Sequence, residues 1–472
     1  MKAGKYKTMK VKFILNKIIL SSIIFAILLM VACKVTKPYV QPANIISSKL
    51  YRDSLSTDTS NIAAVSWKEI FGDSLLESLI QEGIQNNLDL KIASARIKAA
   101  SANFKQSRLA FLPGFDLNIG GSFQKYPSSQ TGPPEAYQLS LSSTWEADIW
   151  GKLSSAKRAN LASLLQSNAY RNAIQTQLIA DIASNYYLLL AYDEQLKITE
   201  KTVANRIQEV VAVRLLKESN VVTGAAVVQS EANRYSVEIT IPDLKQHIHE
   251  TENSISLLLG RNPNSVIRST LNEQVIKTHL ATGVPLQLLA NRPDVQEAEL
   301  QLRKSFEVEN VARTYFYPSL FLTANSGLSS GNLAQLFNPA SFFAGITGGI
   351  LQPIFNKGLN KQRLALAQAA QEESLAAFKQ KIIIAGQEVS NALYNYKSAV
   401  DKQLLRTQQI IFLQKSVDYT RELLKYSSAT NYTDVLTSEQ SLLAGQLNGI
   451  NDKLQQLTAM VTLYRSLGGG WK

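Results

Sequence analysis

The residue types best suited to nucleophilic, acid–base or metal chemistry are scarce in this chain of 472 residues, which has three histidines and one cysteine. His247-x-His249 sets two imidazoles two residues apart on a helical segment, hence on different faces, and no third ligand accompanies them. They read as a surface pair, and His279, in a linker, as inert. A single cysteine allows neither an intrachain disulfide nor a Cys-rich metal site. No phosphate-binding glycine loop, nucleophile elbow or paired-carboxylate motif is present. No enzyme activity, no metal and no cofactor is therefore expected. The informative chemistry lies in how the chain is anchored and assembled.

The cysteine closes an export signal. Lys2, Lys5, Lys7, Lys10, Lys12 and Lys17 precede 15 apolar or small residues, Ile18 to Ala32. Such a run suits a signal h-region and is short for a spanning helix. Met30-Val31-Ala32-Cys33 resembles a bacterial lipobox, with Met where Leu is usual. That resemblance implies cleavage of residues 1–32 and acylation of Cys33, and two or three acyl chains hold a protein stably in a membrane. The alternative is an ordinary signal peptide with an incidental cysteine. Lys34 is compatible with sorting to the outer membrane, where Asp would commonly mean retention in the inner one. Removing the six lysines lowers the net charge from +12 to +6 (12 − 6), too mild for a nucleic-acid partner.

The rest of the chain is a tandem repeat. Asn87–Ala93 resembles Arg292–Ala298, an offset of 205 that also matches Phe111 with Phe316, Pro113 with Pro318, Trp150 with Phe355 and Arg158 with Arg363. With three residues inserted, Val227, Ser230 and Glu231 meet Val435, Ser438 and Glu439. Each repeat reads helix, hairpin, very long helix, helix. Apolar residues at helical spacing cover 76–111 and 293–316, stopped by Pro113 and Pro318. Hairpins follow at 115–149 and 319–354. Phe115, Leu117, Ile119, Tyr137, Leu139, Leu141 and Trp145 alternate with polar neighbours. Strands of 11–13 residues are long for a soluble domain and fit a bilayer crossing. Long helices are expected at 152–223, which lacks Gly and Pro, and at 359–429, whose only such residue is Gly386. Shorter helices close each repeat at 226–260, with Pro242 as a kink, and at 433–466.

Four amphipathic strands cannot close a barrel, and an open sheet edge is not tolerated in lipid. Small barrels need about eight strands. The barrel must therefore be shared, with eight strands in a dimer or twelve in a trimer. A mean hydropathy of −0.06 excludes a bundle of membrane helices instead.

These segments resemble the TolC-like outer membrane factors, in the lipoprotein branch of outer membrane efflux proteins. The resemblance rests on Trp67–Asp73 with Leu76, Asn87–Leu90, Trp145–Gly151, Leu258–Gly260, Leu288–Asp294 and the tail Leu467–Trp471. It implies a mainly α fold with a transmembrane β-barrel. An internally duplicated protomer of four strands and very long coiled-coil helices forms a trimer, with a 12-stranded β-barrel continuous with a 12-helix periplasmic α-barrel. Residues 33–75, 261–292 and 467–472 are expected in the N-terminal tether, an equatorial belt of extra strands and helices, and the C-terminal tail. The implied partners are a homotrimer, a periplasmic adaptor, an inner-membrane pump of the resistance-nodulation-division type, and outer-membrane lipid. The implied function is the exit duct of a tripartite efflux pump for drugs, toxic compounds or metal ions. A type I protein secretion duct and a lipid-anchored coiled-coil scaffold are the alternatives. In the family, the turns at 217–228 and 425–436 close the periplasmic mouth. On that basis Tyr426, Tyr432 and Asp434 are the candidate gate, unless Asp434 is only a helix cap, and Thr223, Gly224, Thr430 and Asn431 are the candidate adaptor-facing turn residues.

Overall fold

The computed structural model describes residues 35–42, 65–123, 135–275, 290–426 and 432–471. Cys33, the export signal, Thr430, Asn431 and His279 lie outside them. The chain divides into two compact units: residues 1–42, 98–166 and 299–377, and residues 43–97, 167–298 and 378–472. In order, the elements are α1 (Trp67–Phe71), α2 (Ser74–Asn86), α3 (Leu88–Leu109), β1 (Gly114–Phe123), β2 (Glu135–Ala147), α4 (Lys152–Glu218), α5 (Gly224–Glu238), α6 (Thr240–Leu258), α7 (Pro293–Thr314), β3 (Ser319–Ser330), β4 (Phe342–Leu351), α8 (Leu359–Tyr426) and α9 (Tyr432–Ser466). No described helix is both long and apolar enough to cross a membrane.

The first unit holds one antiparallel sheet in the order β1-β2-β3-β4. Paired residues of an antiparallel ladder share a face. Phe115 pairs with Ser143, Leu117 with Leu141 and Ile119 with Leu139. Leu139 pairs in turn with Leu328, and Trp145 with Leu322. Leu328 then meets Phe342, Ala324 meets Ile346 and Leu320 meets Ile350. One face is thus apolar across all four strands. The other carries Asp116, Asn118, Ser140, Ser142, Thr323, Asn325 and Thr347. The apolar face is bare: Phe115, Leu117, Ile119, Phe342, Ile346 and Ile350 are all exposed. From Thr314 to Asn356 there is no Asp, Glu, Lys, Arg or His. At the helix-proximal end Trp150 donates to the Pro318 carbonyl at 2.7 Å and packs on Tyr317, while Trp145 donates to the Phe111 carbonyl at 2.8 Å. Asp148 then accepts from the Leu153 and Ser154 amides at 2.8 and 2.9 Å and starts α4.

In the second unit Ile70, Leu76, Ile80, Ile179, Ile182, Tyr186, Leu189 and Ile255 form a buried core. Asp73 caps α2 and collects Tyr186, Ser269 and Gln274 at 2.6–2.8 Å. Burial pushes its carboxyl up, but the hydrogen bonds from Ser269, Gln274 and Tyr186 prevail and hold it below its ordinary value. The arginine-proline-aspartate block has a structural explanation. Buried Arg292 grips Asp294 with Nε and Nη2 and reaches Glu388 at 2.7 Å and the Ser466 carbonyl at 3.0 Å. Gly468, with φ +90°, lies so close to the Asn291 backbone that a side chain there would collide with it, and Trp471 donates to the Asn291 carbonyl.

Several boundaries differ from expectation. The run 76–111 belongs to two helices, separated at Asn87. Its side-chain amide donates to the Leu258 carbonyl at 2.9 Å and its Oδ1 takes the Leu90 amide at 3.1 Å, so a cap interrupts an apolar periodicity. The run 226–260 is also two helices. Pro242 cannot donate to the carbonyl of Glu238, where α5 ends. Ile239 stays right-handed at φ −63° and ψ −20°, so the junction is a kink. The first long helix stops at Glu218 because Asn220 turns left-handed at φ +58°. Around the expected belt the described residues give α1, the start of α2, a 3₁₀ turn at Leu271–Glu273, helical residues 290 and 291, and no strand.

Candidate functional site

The expected gate lies where α4 meets α5 and α8 meets α9, all within the second unit. Val213 of α4 packs with Tyr432 and Leu436 of α9, and Val222, Ala226, Val227 and Leu424 close around them. Tyr432 is therefore a core residue of the four-helix end. Its hydroxyl is buried facing Ser230 and Glu209 but makes a well-formed hydrogen bond to neither, and burial, then the neighbouring Glu209, pushes it above the ordinary tyrosine range.

Beneath that ring lies a charged cluster that sequence reasoning did not find. Arg206 of α4 is only 2% exposed. It reaches Glu209 on its own helix at 3.0 Å and Glu439 of α9 at 2.8 Å. Arg421 of α8 meets the same Glu439 at 2.6 Å. Glu439 thus ties three helices together. The Arg206 Nε and Nη2 and the Glu209 Oε1 are buried without partners. Burial, then the charge of Glu439, raises the Glu209 carboxyl, with Arg206 opposing. The internal repeat offers a partial signal. Arg214 pairs with Glu231 between α4 and α5 as Arg421 pairs with Glu439 between α8 and α9. Glu231 and Glu439 correspond in the repeat, whereas Arg206 sits mid-helix with no local mark.

The other expected residues scatter around this core. Tyr426 ends α8 and is 86% exposed. Asp434 is exposed in the first turn of α9, two residues past its start at Tyr432, so it is not the N-cap. Its carboxylate still complements the helix dipole there. Thr223 is extended and makes no side-chain cap, although its carbonyl accepts from Ala226 at 3.1 Å. Glycine is the residue that most readily adopts a left-handed turn, but Gly224 does not do so here. Instead Asn220 takes the left-handed conformation, and Gly224 opens α5 with empty space where a side chain would stand. His247 stacks on Tyr192 and lies 3.7 Å from Glu250, and among the described residues no three His, Cys, Asp or Glu side chains converge as a metal site would.

Residues 79–261 and 284–469 match the family model described as outer membrane efflux protein. The chain is similar to the cation efflux system protein CusC of Escherichia coli (strain K12), with 28% identity over 94% of this chain and 97% of that protein. It is 30% identical to the toluene efflux pump outer membrane protein TtgC of Pseudomonas putida, over 88% of this chain and 87% of TtgC. It is 29% identical to the probable outer membrane lipoprotein SilC of Salmonella typhimurium, over 89% and 92%. A crystal structure of CusC superposes with a TM-score of 0.84 at 26% identity, covering 93% of this chain and all of that one.

Proposed function

The chain belongs to the outer membrane efflux protein family, and from that premise we propose that it is the outer-membrane exit duct of a tripartite efflux pump. The observation that carries this reading is the sheet. It has a continuous bare apolar face, a polar opposite face, and unpaired edges at β1 and β4. Such a sheet suits lipid on one side and water on the other, and lipid demands that its edges be closed. Three copies close them with twelve strands, and the helices continue the passage in the periplasm. A periplasmic adaptor and an inner-membrane pump of the resistance-nodulation-division type supply cargo and drive. The relatives named for cations and for toluene support a small-molecule cargo, drug, toxic compound or metal ion, chosen upstream of the duct.

The gate in this reading is the end where α4, α5, α8 and α9 meet. Tyr426 and Asp434 supply exposed groups that face copies of themselves around the symmetry axis, while Tyr432 and the Arg206–Glu439 pair hold α9 against α4. Thr223, Gly224, Thr430 and Asn431 face the adaptor, and Cys33 carries the lipid. Single-channel conductance of the mature protein in planar bilayers tests the proposal. A small current that grows in Asp434→Ala and in Tyr432→Ala is the expected result. The absence of current from all three proteins, each shown to be folded, would remove the duct and leave the scaffold.

A further inference from the structure

Residues 35–42 form a strap with neither helix nor strand within the first unit, and their contacts are specific. Pro38 confines Lys37 to an extended backbone, in which its N–H and C=O are presented as in a strand. Asn310 of α7 meets both: the Lys37 amide donates to Oδ1 at 3.1 Å, and Nδ2 donates to the Lys37 carbonyl at 2.9 Å. One side-chain amide thus completes a peptide-like pairing with the strap. Asn310 is itself buried, and its Nδ2 also donates to Glu307 at 3.2 Å. Glu307, likewise buried, takes the Arg158 guanidinium of α4 at 2.7 Å. The grip on the strap is therefore continuous with the first turns of the long helix.

Two further contacts fix the direction of the strap. Tyr39 sets its ring edge-on to Phe306 at 5.5 Å, with the Arg303 guanidinium 5.9 Å away. Arg303, Phe306 and Asn310 lie along one face of α7. Upstream, Thr36 fills the space above Gly151, where a Cβ would stand 3.1 Å from its hydroxyl. Gly151, at φ +76°, is the joint between β2 and α4. Thr36 stands three positions after Cys33, a reach of about 10 Å at full extension.

We propose that Asn310 is the positioning residue that clasps the lipidated tether, holding the acyl anchor in fixed register with the joint between sheet and helices. This rests on the reading of Cys33 as the acylated residue. Asp at position 310 would lack the donor and face Glu307 with a second carboxylate, so the clasp requires the amide.

The experiment compares the acylated protein with a form exported through an ordinary signal peptide and lacking acyl chains, each with and without Asn310→Ala. Acylation should slow detergent-induced unfolding of the assembled protein by a measurable factor. In Asn310→Ala that factor should fall to one, while hydrogen exchange at the Lys37 amide rises at least tenfold. Tyr39→Ala loosens the strap without touching the buried Asn310–Glu307–Arg158 chain, and should also abolish the factor. Should Asn310→Ala weaken both forms equally, or the factor survive a loosened strap, the clasp is wrong and Asn310 is only a core residue. An intact mass showing a bare Cys33 would instead overturn the anchor reading itself.

Discussion

At the scale of residues, Tyr432 separates packing from hydrogen bonding. Its ring fills the core between α4 and α9, yet its hydroxyl makes no well-formed hydrogen bond. Tyr432→Phe should leave stability unchanged or raise it by about 1 kcal/mol, since a buried hydroxyl without a bond costs free energy. Tyr432→Ala should cost about 3–5 kcal/mol locally and raise conductance. Denaturant melts beside single-channel recordings distinguish the two, and an open channel in Tyr432→Phe would contradict the packing role. Glu209 gives a pH dependence with a definite sign. Its folded-state value is raised, so its contribution to stability is present at low pH and lost as pH rises through that value. From neutral pH towards mild acid, the protection factors of amides at the start of α9, taken relative to the intrinsic exchange rate at each pH, should therefore rise, and Glu209→Gln should remove that rise. Glu209 and Arg206 were not legible beforehand. A charged pair in a 67-residue helix resembles any solvated face until the partner helix is known.

At the scale of elements, much more was legible. The strands announced themselves because the side-chain period of two survives in β1 and β2 and places every large apolar residue on one face. Glycines at 345, 348 and 349 dilute the same pattern in β4, and the pairing with β3 restores it. The long helices were visible through what they lack, Pro throughout and Gly at every position but 386. The kink at Ile239 was marked by Pro242, but the break at Asn87 was not, because it depends on a local side-chain hydrogen bond, which periodicity does not encode. The two faces of β4 give a paired prediction. Ile346→Arg, on the bare apolar face, should cost about 2–4 kcal/mol and deplete the heat-modifiable folded band. Thr347→Arg, one residue on, should fold normally and alter only conductance. Equal loss of the folded band in both variants would deny that the faces differ in solvent.

At the scale of the whole molecule, duplication and an open sheet point to the same assembly. Each chain brings four strands, so two copies make eight and three make twelve. Native mass spectrometry in detergent should return three chains, and a stable pair would move the count to the smaller barrel. The tail and the arginine-proline-aspartate block, distinctive in sequence, turn out to brace each other, through Arg292 and Ser466 and through Trp471 and Asn291. A motif that identifies a lineage need not touch its cargo. The stretch from Thr314 to Asn356, with no acidic, basic or histidine side chain, has its own consequence for traffic. Half of each protomer's contribution to the passage wall there is electrically silent. It presents hydroxyls, amides and bare backbone, which wet the surface without repelling or retaining a permeant of either sign. Charge on that face comes from the other hairpin, where Asp116 stands with Asn118, Ser140 and Ser142, so any preference of the wall between permeants of opposite sign is set there.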